Sequence, residues 1–262
     1  MLEQNLQIPE QVLSVAEDLN TYLPLSNGDQ RYVTPEYVIW LGPTSDPHHN
    51  VVQRLRISEG TLPAIVEKVR AIFRAHGRNQ ATWEVGNSAT PINLADQLIA
   101  LGMVPDSPDP VATGMVLTEG LLSSNTNNIT TKPVETLAEF VASCEVIQNC
   151  FGTPPDDDIE QQFSQLKAEL QKTRWIALQD NKPVAMADAT HLEYATILNG
   201  AATLPEARGQ GAYRALLAAR FKEAKQRGAP MLVTQAGSMS RPILKGLGFK
   251  EISRVQIFVD NF

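Results

Sequence analysis

Few residues here mark a secreted, membrane-spanning or nucleic-acid-binding chain. Two cysteines, Cys144 and Cys150, occur among 262 residues. They stand six apart on one expected helix, on different faces, so they are not placed to bridge each other. They read as two ordinary thiols of a reducing compartment. No apolar run approaches the ~20 residues a membrane helix needs, so no membrane partner is expected. The opening segment MLEQNLQIPE lacks a basic stretch followed by an apolar one. No signal peptide is expected, and a cytoplasmic location is the default. The four histidines, His48, His49, His76 and His191, are scattered and keep no zinc-type spacing with the cysteines. They read as surface histidines, and no metal is expected. Lysine and arginine (22) fall short of aspartate and glutamate (29), for a net charge of −7. That deficit argues against nucleic acid, which wants clustered cations. It suits a cationic or amine partner, and is also ordinary for a soluble protein.

The composition is that of an ordinary globular chain. Apolar residues make up 43% and charged residues 19%, enough for one large domain or two modest ones. A first helix is expected over 9–22, strands near 37–41 and 51–57, and an amphipathic helix over 61–76. The apolar positions of that helix, Leu62, Ile65, Val66, Val69, Ile72 and Phe73, repeat at 3.6 residues. Thr61 suits its N-cap, Pro63 its first turn and Gly77 its stop. A strand at 81–85, a short helix at 92–101 and a strand at 111–118 follow.

Residues 120–133, rich in Ser, Asn and Thr, read as a linker between a domain at 1–119 and another at 134–262. The second domain opens with helices at 134–150 and after the run Asp156-Asp157-Asp158. That run suits a helix N-terminus, where negative charge meets the positive end of the dipole. A strand at 174–178, a hairpin through Asp180-Asn181-Lys182-Pro183 and a strand at 194–204 lead to a helix at 211–227. A strand at 231–235, a short helix at 241–247 and a strand at 254–259 close the chain. The order helix, strand, short helix, strand occurs in both halves. Leu101-Gly102-Met103 in the first echoes Leu247-Gly248-Phe249 in the second. The pattern reads as a duplicated unit.

The chemistry concentrates in TLPEARGQGAYRALL, residues 203–217. A strand ends at a Pro break, and Arg208-Gly209-Gln210-Gly211 opens a helix. The first N–H groups of a helix lack intrahelical acceptors and carry partial positive charge. Glycines let the backbone approach a diphosphate closely, and Arg208 adds a charged fork. An anion seat is expected at 208–213. The loop follows an antiparallel hairpin and lacks Gly-Lys-Ser/Thr, which excludes the dinucleotide fingerprint and the Walker loop.

Residues 134–260 resemble the GNAT N-acetyltransferase superfamily. The resemblance rests on the element order, on the Arg-x-x-Gly-x-Gly/Ala pattern within TLPEARGQGAYRALL, and on ILKGLGFK at 243–250. Residues 30–118 look like a degenerate second GNAT half without the loop. The implied fold is α+β, a mixed and mostly antiparallel sheet flanked by helices, in two tandem GNAT-like halves. The implied co-substrate is acetyl-CoA, one per chain. Backbone groups of Ala202, Thr203 and Leu204 would bond pantetheine, and Arg208, Gly209, Gln210, Gly211, Ala212 and Tyr213 would hold the pyrophosphate. A backbone N–H near Thr203 or Leu204 would polarise the thioester carbonyl. The implied activity is acetyl transfer to a small-molecule or peptide amine by direct attack, with the acceptor entering between the halves. A homodimer is compatible with it.

Two positions depart from the family pattern. Tyr213 stands where a small residue is usual, and Leu244 where the family often has an acid tyrosine. Ser238, Ser240 or water are alternatives for the acid, though the serines read first as turn and N-cap residues. Glu145, Asp188 and Glu193 are candidate bases, and none is assigned. The alternative reading is a non-catalytic acyl-CoA-binding or sensor protein.

Overall fold

The computed structural model describes residues 8–26, 28–119, 128–152 and 158–262. They form two compact units: 1–116 together with 235–262, and 117–234.

In the first unit, the expected helix over 9–22 is two pieces, α1 (Glu10–Glu17) and α2 (Leu19–Tyr22). Asp18 leaves helical geometry between them, and its carboxylate accepts the Arg54 N–H at 2.8 Å. Strands β1 (Gln30–Val33), β2 (Val38–Leu41) and β3 (Asn50–Gln53) form an antiparallel meander. The third is shorter than expected because Arg54 turns to φ 54°. Next come α3 (Leu62–Ala75), β4 (Gln80–Val85), α4 (Leu94–Ala100), β5 (Val104–Pro105) and β6 (Val111–Leu117). On α3 the buried side chains are Leu62, Val66, Val69 and Phe73, the stripe its periodicity implies. They pack with Trp83 and Leu98 in the core of this unit. Thr61 stands at the N-cap, but its hydroxyl donates to Ser58 O rather than capping the helix.

The second unit contains β7 (Ile129–Pro133), α5 (Leu137–Phe151), α6 (Ile159–Ala168), β8 (Lys172–Gln179), β9 (Lys182–His191), β10 (Thr196–Thr203) and α7 (Ala212–Gln226). Strands β7 to β10 form an antiparallel run. β11 (Leu232–Ala236) starts in this unit and pairs parallel to β10. A capping box between Thr136 and Glu139 starts α5. Asp158 is the N-cap residue of α6, while Asp156 and Asp157 lie outside the described residues.

The units depart from the expected domain boundaries in two places. Residues 129–133 of the expected linker form β7, which pairs with β8; residues 120–127 lie outside the described residues. Residues 235–262, expected with the second domain, belong to the first unit. There α8 (Ser240–Gly246) leads into β12 (Lys250–Asn261), which pairs antiparallel with both β4 and β6. A strand's alternation says which face it buries, not which sheet it joins.

The repeated element order has matching local geometry. Gly102 and Gly248 take φ 92° and 98°. The following N–H groups close the same turn, Met103 to Leu98 O at 3.2 Å and Phe249 to Leu244 O at 3.1 Å. Both Met103 and Phe249 are buried. This is the Schellman-type helix end, whose 6→1 bond satisfies a carbonyl left over by the helix.

Candidate active site

β10 loses its neighbour on one edge part-way along. Its parallel pairing with β11 covers Thr196–Leu232 and Ile197–Val233. Thr196 N donates to Met231 O at 2.7 Å, and Thr234 Oγ1 to Leu198 O at 3.0 Å. From Asn199 onward no strand lies on that edge among the described residues. The opposite edge stays paired to β9, with a bulge: Asn199 faces Asp188 and Ala201 faces Ala187, leaving Gly200 extra at φ 52°. A bulge re-aims the backbone around it, and glycine accepts the left-handed conformation at least cost.

Backbone direction decides which groups reach the open edge. Leu204 N donates to Val184 O of β9 at 2.9 Å. Successive residues of a strand point their N–H and C=O to opposite edges, so Ala202 shares the Leu204 side and Thr203 faces the open one. Of Ala202, Thr203 and Leu204, Thr203 alone turns its backbone groups to the open edge, and the Leu204 amide is committed to β9. The Thr203 carbonyl accepts Arg208 Nε at 3.2 Å.

Beyond Leu204 a 3-10 turn, Pro205–Ala207, leads into the glycine loop. Gly209 and Gly211 take φ 74° and 93°, and a Cβ built on Gly209 meets nothing within 4 Å. Gln210 ties the loop down: its amide donates to Glu206 O and its carbonyl accepts Gln179 Nε2, both at 2.7 Å. Gly211 is the N-cap residue of α7, and the first intrahelical bond is Ala215 N to Gly211 O. The N–H groups of Ala212, Tyr213 and Arg214 therefore have no acceptor within the helix. Arg208, Gly209, Gln210, Gly211, Ala212 and Tyr213 are thus brought together in one turn.

The first unit repeats the strand arrangement with a different ending. β3 and β4 pair in parallel only at Val51–Thr82 and Val52–Trp83. Past Arg54, however, Ile57 N donates to Thr90 O and Thr90 N to Leu55 O, both at 3.1 Å, and Arg56 bridges Thr90 in parallel. The chain's own segment takes the edge that stays open on β10. The Glu17 carboxylate holds that segment by accepting the Ser88 N–H at 2.8 Å and its hydroxyl.

Residues 137–249 match the family model described as Acetyltransferase (GNAT) family. The chain is a tandem GNAT-fold protein. Its second half carries the family match. Among solved structures it is similar to a GCN5-related N-acetyltransferase from Kribbella flavida, at 21% identity and TM-score 0.73 over 95% of each chain. A GCN5-related N-acetyltransferase from Sphaerobacter thermophilus is similar at 16% identity and TM-score 0.66, over 93% of this chain and 84% of that one. A tandem GNAT protein from the clavulanic acid biosynthesis pathway is similar at 15% identity and TM-score 0.62, over 97% and 88%. No curated protein matches the chain.

The second unit holds its charged side chains in pairs around β10. Asp188, a candidate base, accepts Arg174 Nε and Nη2 at 2.7 and 2.8 Å, and Arg174 lies over the Phe140 ring. Burial works against the Arg174 charge, but Asp188 outweighs it and its pKa is raised. Both carboxylate oxygens of Asp188 are thus taken up by one guanidinium. Glu145 and Glu193 are exposed. Leu244 is buried and has no proton to give. Ser238 N donates to Asp109 Oδ1 and Ser240 Oγ contacts Gly237 O, as turn residues do.

Two charged groups on α7, one buried and one half-buried, escaped sequence reasoning. Arg220 is 1% exposed and donates Nη1 to Asp188 O at 2.9 Å. Glu223 accepts Trp175 Nε1 at 2.8 Å and Thr173 Oγ1 at 3.0 Å, with His191 Nε2 at 3.5 Å. Burial opposes the Glu223 charge, yet these donors bring its pKa down to about 2. The available signal was a charged residue at the spacing of the apolar stripe Tyr213, Leu217, Phe221. His191, read as a surface residue, is 5% exposed, with Nδ1 2.9 Å from Thr196 Oγ1. Cys144 and Cys150 are free thiols. Among the described residues no three His, Cys, Asp or Glu side chains gather into a metal site, and no helix is long and apolar enough to cross a membrane.

Proposed function

We propose that this chain moves an acetyl group from acetyl-CoA to an amine by direct attack on the thioester. The observation that carries this reading is the open edge of β10 running into the unsatisfied N-terminus of α7. An extended amide-bearing arm fits such an edge as an added strand, and a pyrophosphate fits the helix end that follows it. Arg208 and the Ala212, Tyr213 and Arg214 amides would hold the pyrophosphate. Thr203 would pair with pantetheine. The backbone at the Gly200 bulge would polarise the thioester carbonyl, an interaction typically worth ~3 kcal/mol per oxyanion donor. The self-filled edge in the first unit supports one acetyl-CoA per chain. The net charge of −7 suits a small-molecule or peptide amine that arrives as a cation. Its deprotonation would fall to water, since Asp188 is held by Arg174.

The commitment of Asp188 and the burial of Leu244 favour a second reading, a sensor that binds acyl-CoA without turnover. Thermal shift with acetyl-CoA, followed by thiol release over an amine panel, separates the two. Stabilisation with turnover on at least one amine supports transfer. Stabilisation without turnover on any favours the sensor, and no stabilisation by any acyl-CoA sinks both.

A further inference from the structure

The first unit carries buried hydrogen-bonding groups without protein partners on one face of its sheet. β3 and β4 pair in parallel at Val51–Thr82 and Val52–Trp83. The next residues on the two strands are Gln53 and Glu84, so their side chains stand side by side. Both lie on the sheet face opposite Trp83 and its core, and Gln53 shares that face with its strand partner Val38. Gln53 is 0% exposed and Glu84 8%, so access from solvent runs past Glu84. Among the described residues, Gln53 Nε2, Gln53 Oε1 and Glu84 Oε2 have no hydrogen-bond partner. Such atoms are costly to bury unless something else supplies the partner.

The surrounding charges say what that partner is. Glu17 and Asp18, at the end of α1, are already engaged. Glu17 accepts the Ser88 N–H and hydroxyl, and Asp18 accepts the Arg54 N–H at 2.8 Å with Arg56 Nη2 at 3.9 Å. His48, in the 3-10 turn Pro47–His49, is held between Asp46 and Asp106 at 3.0 and 3.1 Å. Glu84 Oε2 has no such donor. Burial, with Asp18 acting on it more than His48, holds the Glu84 carboxyl protonated at neutral pH.

We infer that Gln53 and Glu84 form a binding site for a small hydroxylated primary amine. The ammonium donates to Glu84 Oε2 and Gln53 Oε1, and the ligand hydroxyl oxygen accepts Gln53 Nε2. A metal ion could bond the two oxygens but not the amide N–H. A neutral carboxyl that meets an ammonium ionises, so the Glu84 proton leaves to solvent as the amine binds. The Asp18 charge favours the same cation. Amine binding here does not depend on acetyl transfer by the second unit.

The test is calorimetric titration of the full chain with ethanolamine, in buffers of different ionisation enthalpy. The wild-type protein should bind saturably and release close to one proton per amine at pH 7. With the Glu84 carboxyl at about 8, affinity should rise about eightfold from pH 6.5 to pH 7.5, a window in which Asp18, at about 6, is already mostly ionised. Glu84→Gln should abolish the proton release and weaken binding at least tenfold. Gln53→Leu should weaken binding about tenfold and keep the proton release. Tetramethylammonium, which has no N–H, should not bind. Absence of saturable binding, binding without proton release, or equal binding by both variants overturns the inference. Equal binding of tetramethylammonium also overturns it, since the site would then sense charge alone. Should a variant fail to fold by circular dichroism, the wild-type proton release and the tetramethylammonium comparison still decide.

Discussion

Arg70 on α3 grips Asp260 on β12 with two hydrogen bonds, Nε to Oδ2 at 3.0 Å and Nη2 to Oδ1 at 2.7 Å, across 190 residues of sequence. Asp260 is 1% exposed, so the pair works in a low dielectric, and Asp260 with Glu67 raises the Arg70 pKa. Removing one partner leaves a buried charge uncompensated. Arg70→Met should cost ~3 kcal/mol in urea unfolding. A chain ending at Phe249 should lose the first unit, because β4 and β6 would each lose β12. Amide exchange would show this as lost protection across residues 30–116. Full protection there would contradict the pairing of β12 with β4 and β6.

Glu84 carries the opposite electrostatic signature. Burial, with the charge of Asp18, pushes its carboxyl up to about 8. The folded state then binds more protons than the unfolded state, whose glutamates titrate at about 4.3. Stability is full below that pH and declines as pH rises toward 8. Glu84→Gln should therefore raise Tm at pH 8 and leave it nearly unchanged at pH 4. Calorimetry at the two pH values checks this, and equal effects at both would refute it.

Glu223 works the other way. Its folded pKa of about 2 lies below the unfolded value. Its contribution is complete above about 4.5 and is lost as pH falls toward 2. The side chain is 14% exposed, so the contribution is on the order of 3 kcal/mol. Glu223→Gln should destabilise at pH 7 and lose most of that effect at pH 3. A constant penalty across this range would mean that packing, not charge, makes the difference.

Gly211→Glu tests the pyrophosphate seat. The new carboxylate would stand at the helix start where the diphosphate is to bind, and φ 93° adds strain of about 1–2 kcal/mol. The variant should still fold by circular dichroism and show at least a hundredfold weaker CoA binding. Unchanged affinity would remove α7 from the site.

The open edge of β10 tests the role of Thr203. A desamino analogue of CoA lacking one pantetheine amide should bind roughly tenfold more weakly to the wild-type protein, for one lost hydrogen bond. Equal affinity would mean that the arm does not pair with the strand.

Local pattern made part of this protein legible before any coordinates. The stripe Leu62, Val66, Val69, Phe73 could be read because a 3.6-residue repeat has one physical meaning. The glycine loop could be read because φ above zero and an unsatisfied helix end need particular residues in a fixed order. The Gly102 and Gly248 turns matched for the same reason. Asp18 and Arg54 escaped, since a helix break and a strand end held by a carboxylate 36 residues away leave no mark in either neighbourhood.

Pairing between distant segments was decided only in three dimensions. Nothing in KEISRVQIFVDN says that it closes the first sheet; its alternation would serve either. The sequence located the glycine-opened helix start at residues 208–213, because helix-end chemistry is local. Tertiary structure left β10 open while Thr90 filled the corresponding edge on the first half, and it committed Leu204 to β9 and aimed Thr203 outward. Hydrogen-bond direction in a strand depends on which neighbour it pairs with, and that neighbour is chosen by the fold.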